Sequence, residues 1–178
     1  MSKNKKISDG SQFYEFLANN SREMYEAELR REESIIRQSS NMQSSIAFVS
    51  AALFVIAQIA VEYKGKISFG YLMLVFSSIT LFLLLSLVFA TVAQYRWKSD
   101  GYPMITDFKK TVFENYDSMC NEKSRLNYLM EQYEIFQNSL NEVNNKRSKF
   151  VRISMLMFFI SIFLCAVWFL ITLIIYMN

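Results

Sequence analysis

The chain of 178 residues contains no histidine, a single proline, four glycines and two cysteines. Without histidine it lacks the commonest general base and the commonest metal ligand of proteins. Gly10, Gly65, Gly70 and Gly101 never cluster, so no GxxxxGK[ST], GxGxxG or GxSxG run can form. Cys120 and Cys165 lie far apart, the second inside an apolar run, which excludes a CxxC motif and argues against a disulfide framework. The carboxylates are interleaved with Lys and Arg at helical spacing, as on a solvated face. The expectation is a protein that is not an enzyme, with no catalytic residues, no metal site and no cofactor.

Charge is also missing from three long runs, Gln38–Val61, Phe69–Gln94 and Ile153–Asn178, so every Asp, Glu, Lys and Arg falls elsewhere. Each run exceeds the roughly 20 apolar residues that cross about 30 Å of hydrocarbon as a helix. Three such runs leave little chain for them to be buried inside. The fold class read from this pattern is an all-α membrane protein with three transmembrane helices, a hairpin plus a C-terminal span. The opening MSKNKKISDG is polar, so the first apolar run is expected to be retained rather than cleaved as a signal peptide. The parts are a cytoplasmic N-terminal arm and helix over 1–43, the hairpin over 44–94, a cytoplasmic helical region over 95–150 and the third span over 151–178.

Basic residues near span ends set orientation. Arg30, Arg31 and Arg37 precede the first span, Arg96, Lys98, Lys109 and Lys110 follow the second, and Lys146, Arg147, Lys149 and Arg152 precede the third; the short 62–68 connection has only Lys64 and Lys66. The N-terminus and central region are therefore expected in the cytoplasm, and the 62–68 turn and Asn178 outside.

The N-terminal arm reads as an irregular start over 1–10 and a helix from about Ser11 running into the first span. Phe13, Phe16, Leu17, Met24, Ala27 and Ile35 form its apolar face. Beyond the Ser99–Pro103 breaker, a heptad frame runs Ile105, Phe108, Val112, Asn115, Met119, Glu122, then Leu126, Leu129, Tyr133, Phe136, Leu140, Val143, Arg147 and Phe150. The misfits Asn115 and Glu122 predict a short helix near 104–115 and a long one from roughly Asp117 toward the third span. A sustained seam of this kind wants a partner, either the arm of the same chain or the equivalent helix of another subunit.

Inside the spans, small and polar residues mark faces where helices approach. Ser44, Ala47, Ala51 and Gln58 share one face of the first span; Ser86, Ala90 and Gln94 recur in the second; Ser161, Cys165, Trp168 and Thr172 form a stripe in the third. The first of these faces has two readings, packing within one subunit or lining an axis shared by several. Three helices of one chain cannot enclose water, so a pore requires a homo-oligomer, with a tetramer favoured. Under the second reading Ser44, Ala51, Phe54, Val55 and Gln58 line or gate the pore, with an apolar constriction near Leu53, Phe54 or Val55. The absence of charge within the spans argues against a proton relay or voltage sensor.

Arg30, Arg31, Arg37, Lys146 and Arg147 are likewise open to two readings, anchors to the anionic lipid bilayer or a ring that holds the phosphates of a small ligand. Residues 1–37 and 95–152 are each close to neutral, so long nucleic acid is not an expected partner.

The arm ELRREESIIRQSSNMQ running into a two-span hairpin with the short outer turn VEYKGKIS, followed by a helical cytoplasmic segment, resembles the SLATT class of bacterial membrane effectors. The layout is similar to the membrane effectors of Hailong-type anti-phage systems. The resemblance is architectural, covers roughly residues 11–150 and carries no motif, so no site residue is transferred by it. It implies a pore in the bacterial inner membrane that arrests infected cells, regulated by a nucleotide or short oligonucleotide from a partner nucleotidyltransferase. The third span is an addition to the two-span pattern. A membrane anchor or scaffold that docks a partner through the heptad helix is the alternative.

Overall fold

The computed structural model describes residues 3–62, 68–95, 97, 109–110, 113–115, 117 and 121–177. Three long helices account for most of these: α1, Lys3–Glu62; α2, Phe69–Gln94; and α3, Glu122–Met177. All three are long and apolar enough to cross a membrane, and the described residues contain no strand. The expected breaker at Ser99–Pro103 and most of the 62–68 turn lie outside the described residues. So does most of the short helix expected over 104–115, although residues 109–110 and 113–114 are helical.

Helix α1 starts at Lys3 rather than near Ser11. No proline interrupts the segment, and the lone Gly10 costs only about 1 kcal/mol of helix propensity, which a continuous helix tolerates. Helix α3 starts later than the expected Asp117. Asn121 sets that boundary: its Oδ1 accepts the Lys123 backbone N–H at 3.1 Å and its carbonyl accepts Arg125 N–H at 3.1 Å. Helix α3 then runs without a break from the heptad region into the third apolar run.

Contacts group the chain into two units, residues Met1–Glu33 with Trp97–Asn145, and Ser34–Arg96 with Lys146–Asn178. In the first, which is polar, the start of α1 packs on the start of α3. The Tyr25 ring lies 6.0 Å from Tyr133 and 6.2 Å from Phe136. Phe136, Leu140 and Val143 are buried, and Leu126, Leu129 and Tyr133 are half-buried, so the seam exists from Leu126 onward. Its partner within this unit is the chain's own α1. Ile105, Phe108, Val112 and Met119 lie outside the described residues, while Asn115 and Glu122 are exposed.

The face that α1 uses in this unit differs from the expected one. Ala18 is buried and Leu17, Tyr25 and Glu28 are half-buried, whereas Phe13, Phe16, Met24 and Ala27 are exposed. Polar pairing selects this register. Arg31 donates to Asn141 Oδ1 at 3.1 Å and Asn145 Oδ1 at 2.9 Å, and Asn144 Nδ2 donates to the Glu28 carbonyl at 2.9 Å and its carboxylate at 3.0 Å. Asn144 is fully buried, and a buried asparagine in a helical seam favours the one register in which it is paired.

In the second, apolar unit, Ile46, Leu53, Ile79 and Leu83 form a buried cluster flanked by Val49, Val75, Phe76 and Trp168; Ile35, Ala93 and Val151 form another. Small residues let the backbones meet: Ser39, Ser86, Ala90, Ala93, Ser154 and Ser161 are fully buried. Ser86 and Ser154 each donate to the other's carbonyl at 2.8 Å, and Ser39 donates to the Ala90 carbonyl. Toward the far end of α3, the Tyr71 ring meets Trp168 edge-on at 5.4 Å and its hydroxyl lies 3.3 Å from Thr172 Oγ1. The stripes of the second and third spans are thus used for packing inside the chain.

Candidate functional site

The stripe of the first span is placed differently. Helix α1 packs within the apolar unit through Ile35, Ser39, Ile46 and Leu53, whose spacing keeps them on one side. Ser44, Ala47, Ala51 and Gln58 fall on the opposite side and are all exposed, together with Phe54 at 70% and Val55 at 56%. In the chain this face is therefore an outward one. Ser44 Oγ returns its hydrogen bond to the Ser40 carbonyl at 3.2 Å, the usual way a helical serine satisfies itself. Gln58 has no such recourse: its amide makes no hydrogen bond among the described residues. Leu53 does not belong to this face, because it is buried against Ile79 and Leu83.

The basic residues divide by environment. Arg30 is exposed and reaches Glu26 at 4.0 Å; Arg31 is occupied by Glu28, Asn141 and Asn145. Arg37 and Lys146 are exposed. Arg147 is only 3% exposed, and its guanidinium donates to the Tyr95 carbonyl at 3.4 Å, just past the C-terminus of α2. A cation there meets the negative end of the helix dipole. Replacing Arg147 with Met keeps the bulk and removes the charge and the donors. It is expected to cost about 1–3 kcal/mol and lower Tm in detergent, whereas Arg37→Gln, at an exposed position, leaves Tm near the parent's. Arg22, on α1, has its pKa raised by a hydrogen bond from its guanidinium to Glu26 at 2.8 Å and by that carboxylate's charge.

A third feature was not anticipated from the sequence. In the polar unit, the first turns of α3 face Tyr14 of α1 across an open hollow of about 640 Å3. Lys123, Ser124, Asn127, Tyr128 and Glu131 line it from α3, and Asn115 adds to it. Lys123 Nζ sits 4.8 Å from the centre of the Tyr14 ring, a cation–π contact. Asn127 donates to Glu131 at 2.8 Å. The four-residue steps Lys123, Asn127, Glu131 and Ser124, Tyr128 were the available signal, masked because a polar helix start resembles any solvated face.

Comparison with known protein families, with curated proteins and with solved structures finds no match to this chain.

Proposed function

We propose that the chain is the subunit of an oligomeric membrane channel that acts as a bacterial anti-phage effector and depolarises the inner membrane when open. The observation that carries this reading is the outward face of α1, where a Gln58 amide with no hydrogen bond among the described residues and the small residues Ser44, Ala47 and Ala51 are exposed. Hydrocarbon offers no partner for such an amide, whereas equivalent amides around a symmetry axis, or water in a pore, do. A closed ring, for which we favour a tetramer, brings Ser44, Ala51, Phe54, Val55 and Gln58 to that axis.

The architectural resemblance to SLATT effectors, and to the Hailong-type systems among them, supplies the biological setting. The N-terminus and central helices are cytoplasmic and Asn178 is outside, following the basic asymmetry. A nucleotide or short oligonucleotide from a partner nucleotidyltransferase regulates the channel, with Arg30, Arg37 and Lys146 on the exposed surface as the candidates for phosphate contacts. The alternative of a scaffold that docks a partner through the heptad helix is weakened, since within the polar unit that seam already packs on α1.

Topology is tested with a reporter that fluoresces only in the cytoplasm, fused after Asn178. Dark cells with full-length fusion protein are expected, and bright cells overturn the three-span arrangement. Assembly is tested by the mass of the detergent-solubilised complex, where a monomer removes the channel reading. Leu140→Asp places a charge in the buried α1–α3 seam and is expected to abolish accumulation, measured by immunoblot against a surface control such as Glu134→Gln.

A further inference from the structure

We propose that the cleft between α1 and α3 in the apolar unit is a binding site for the acyl ester of a glycerolipid, one chain of which lies between the two helices with its ester carbonyl at Trp168. Two adjoining hollows of about 210 and 330 Å3 make up the cleft, and both are walled by Leu53, Ile79, Cys165 and Phe169. Leu53 and Ile79 are buried and form the floor, whereas Phe169 at 63% and Ile56 at 51% are exposed at the rim, so the cleft opens away from the chain's own helices. Along α3 it runs from Ser161 to Thr172. That stretch of helix rises about 16 Å, roughly half of the ~30 Å hydrocarbon core, so the cleft has the depth of a single leaflet.

One group at the cleft fixes the chemistry of the occupant. The Trp168 indole Nε1 is shut off from solvent and has no hydrogen-bond partner among the described residues. An indole N–H only donates, and it cannot turn back to its own helix as a serine hydroxyl such as that of Ser161 can. The neighbouring hydroxyls are already engaged with each other. Thr172 Oγ1 donates to the Trp168 carbonyl at 2.8 Å, so the Tyr71 phenol is the donor in its 3.3 Å contact with Thr172 Oγ1. The site therefore calls for an acceptor from outside the chain. No Lys, Arg, Asp or Glu lines either hollow among the described residues. A fatty-acid carboxylate would be left there without a counter-charge, whereas a neutral ester carbonyl needs only the one donor. Trp168 meets Tyr71 in the first turn of α2, at the end of a span, where a bilayer places both its aromatic belt and its glycerol esters.

The site requires the apolar unit to lie in a bilayer and does not depend on the channel reading. Full-length protein in a non-ionic detergent is titrated with dioleoyl phosphatidylethanolamine and with its diether analogue, which lacks only the ester carbonyls, and bound lipid is counted by native mass spectrometry. The first diester lipid per chain is expected to bind saturably and about tenfold more tightly than the diether, and oleate is expected not to displace it. Trp168→Phe keeps a ring against Tyr71 and removes the donor; it should bring the diester down to the affinity of the diether and leave the diether unchanged. Cys165→Phe fills both hollows and should weaken diester and diether together. In Trp97→Phe, Trp168 is the one remaining tryptophan, and a diester brominated on its acyl chains should quench its emission to a plateau at one lipid per chain. Equal affinity of diester and diether for the unaltered protein overturns the proposal, as does a diester preference that survives Trp168→Phe, or quenching that rises without a plateau. An assembled complex that retains no lipid overturns it in favour of a second copy of the chain seated in the cleft. The diester and diether comparison uses the unaltered protein, so it decides the matter even if a variant does not fold. Saturable ester binding by a chain that never depolarises cells keeps the site and removes the channel reading; depolarisation by a chain with no ester preference does the reverse.

Discussion

Expression of Val55→Ser, or of Phe54→Ser, is expected to collapse the membrane potential of growing cells without any stimulus, while Gln58→Leu suppresses leakage through the activated parent. Both follow from the side of α1 on which these residues stand. Phe54 and Val55 are exposed and belong to neither buried cluster, so changing them leaves Ile46, Leu53, Ile79 and Leu83 in place. In the proposed ring of subunits the same side chains would form an apolar constriction that excludes water, and a hydroxyl in each subunit would wet it. Gln58→Leu works in the other direction by lengthening the dry zone. A voltage-sensitive dye read at matched expression distinguishes the outcomes. If neither the wetted variants nor the activated parent depolarises cells, the channel reading fails and the scaffold reading takes its place. Leu53→Ser is the informative companion: Leu53 is buried against Ile79 and Leu83, so its loss should lower stability instead of opening a pore.

Ser154→Leu should prevent accumulation of the protein. Ser86 and Ser154 are fully buried and exchange hydrogen bonds with each other's carbonyls at 2.8 Å, which requires the α2 and α3 backbones to lie in close contact. A leucine has no room there and forces the helices apart, at a cost of about 3 kcal/mol or more. Ser154→Ala removes one hydroxyl without adding volume and should cost only about 1 kcal/mol. Yield and Tm in detergent separate the two: a large drop for Leu and a small one for Ala. Parental yield for Ser154→Leu would show that the helices do not meet at this pair.

The three long apolar helices were legible from charge alone, because a bilayer-length run without an ionisable group is a one-dimensional property. The heptad seam from Leu126 to Phe150 was legible for a similar reason: periodicity states which side of a helix is buried without reference to its partner. Periodicity misled at Phe13, Phe16 and Met24, whose apolar face is exposed while α1 packs through Tyr25, Glu28 and Arg31. Hydrophobic spacing carries no term for the guanidinium and amide pairing that chooses the register. Nor does spacing say what a stripe of small residues faces. Ser86, Ser154 and Ser161 look from the sequence like Ser44 and Ala51, yet the first three are buried against the chain's own helices and the last two face away from them. The sequence by itself determined that the helices form, how long they are and where charge is absent, since these depend on near neighbours along the chain. Only the tertiary structure decided that Arg147 is buried at the end of α2, that Gln58 stands on an outer face with no hydrogen bond among the described residues, and that Tyr14 and Lys123 meet. Those outcomes depend on which helix faces which, and that is set by contacts between residues far apart in the chain.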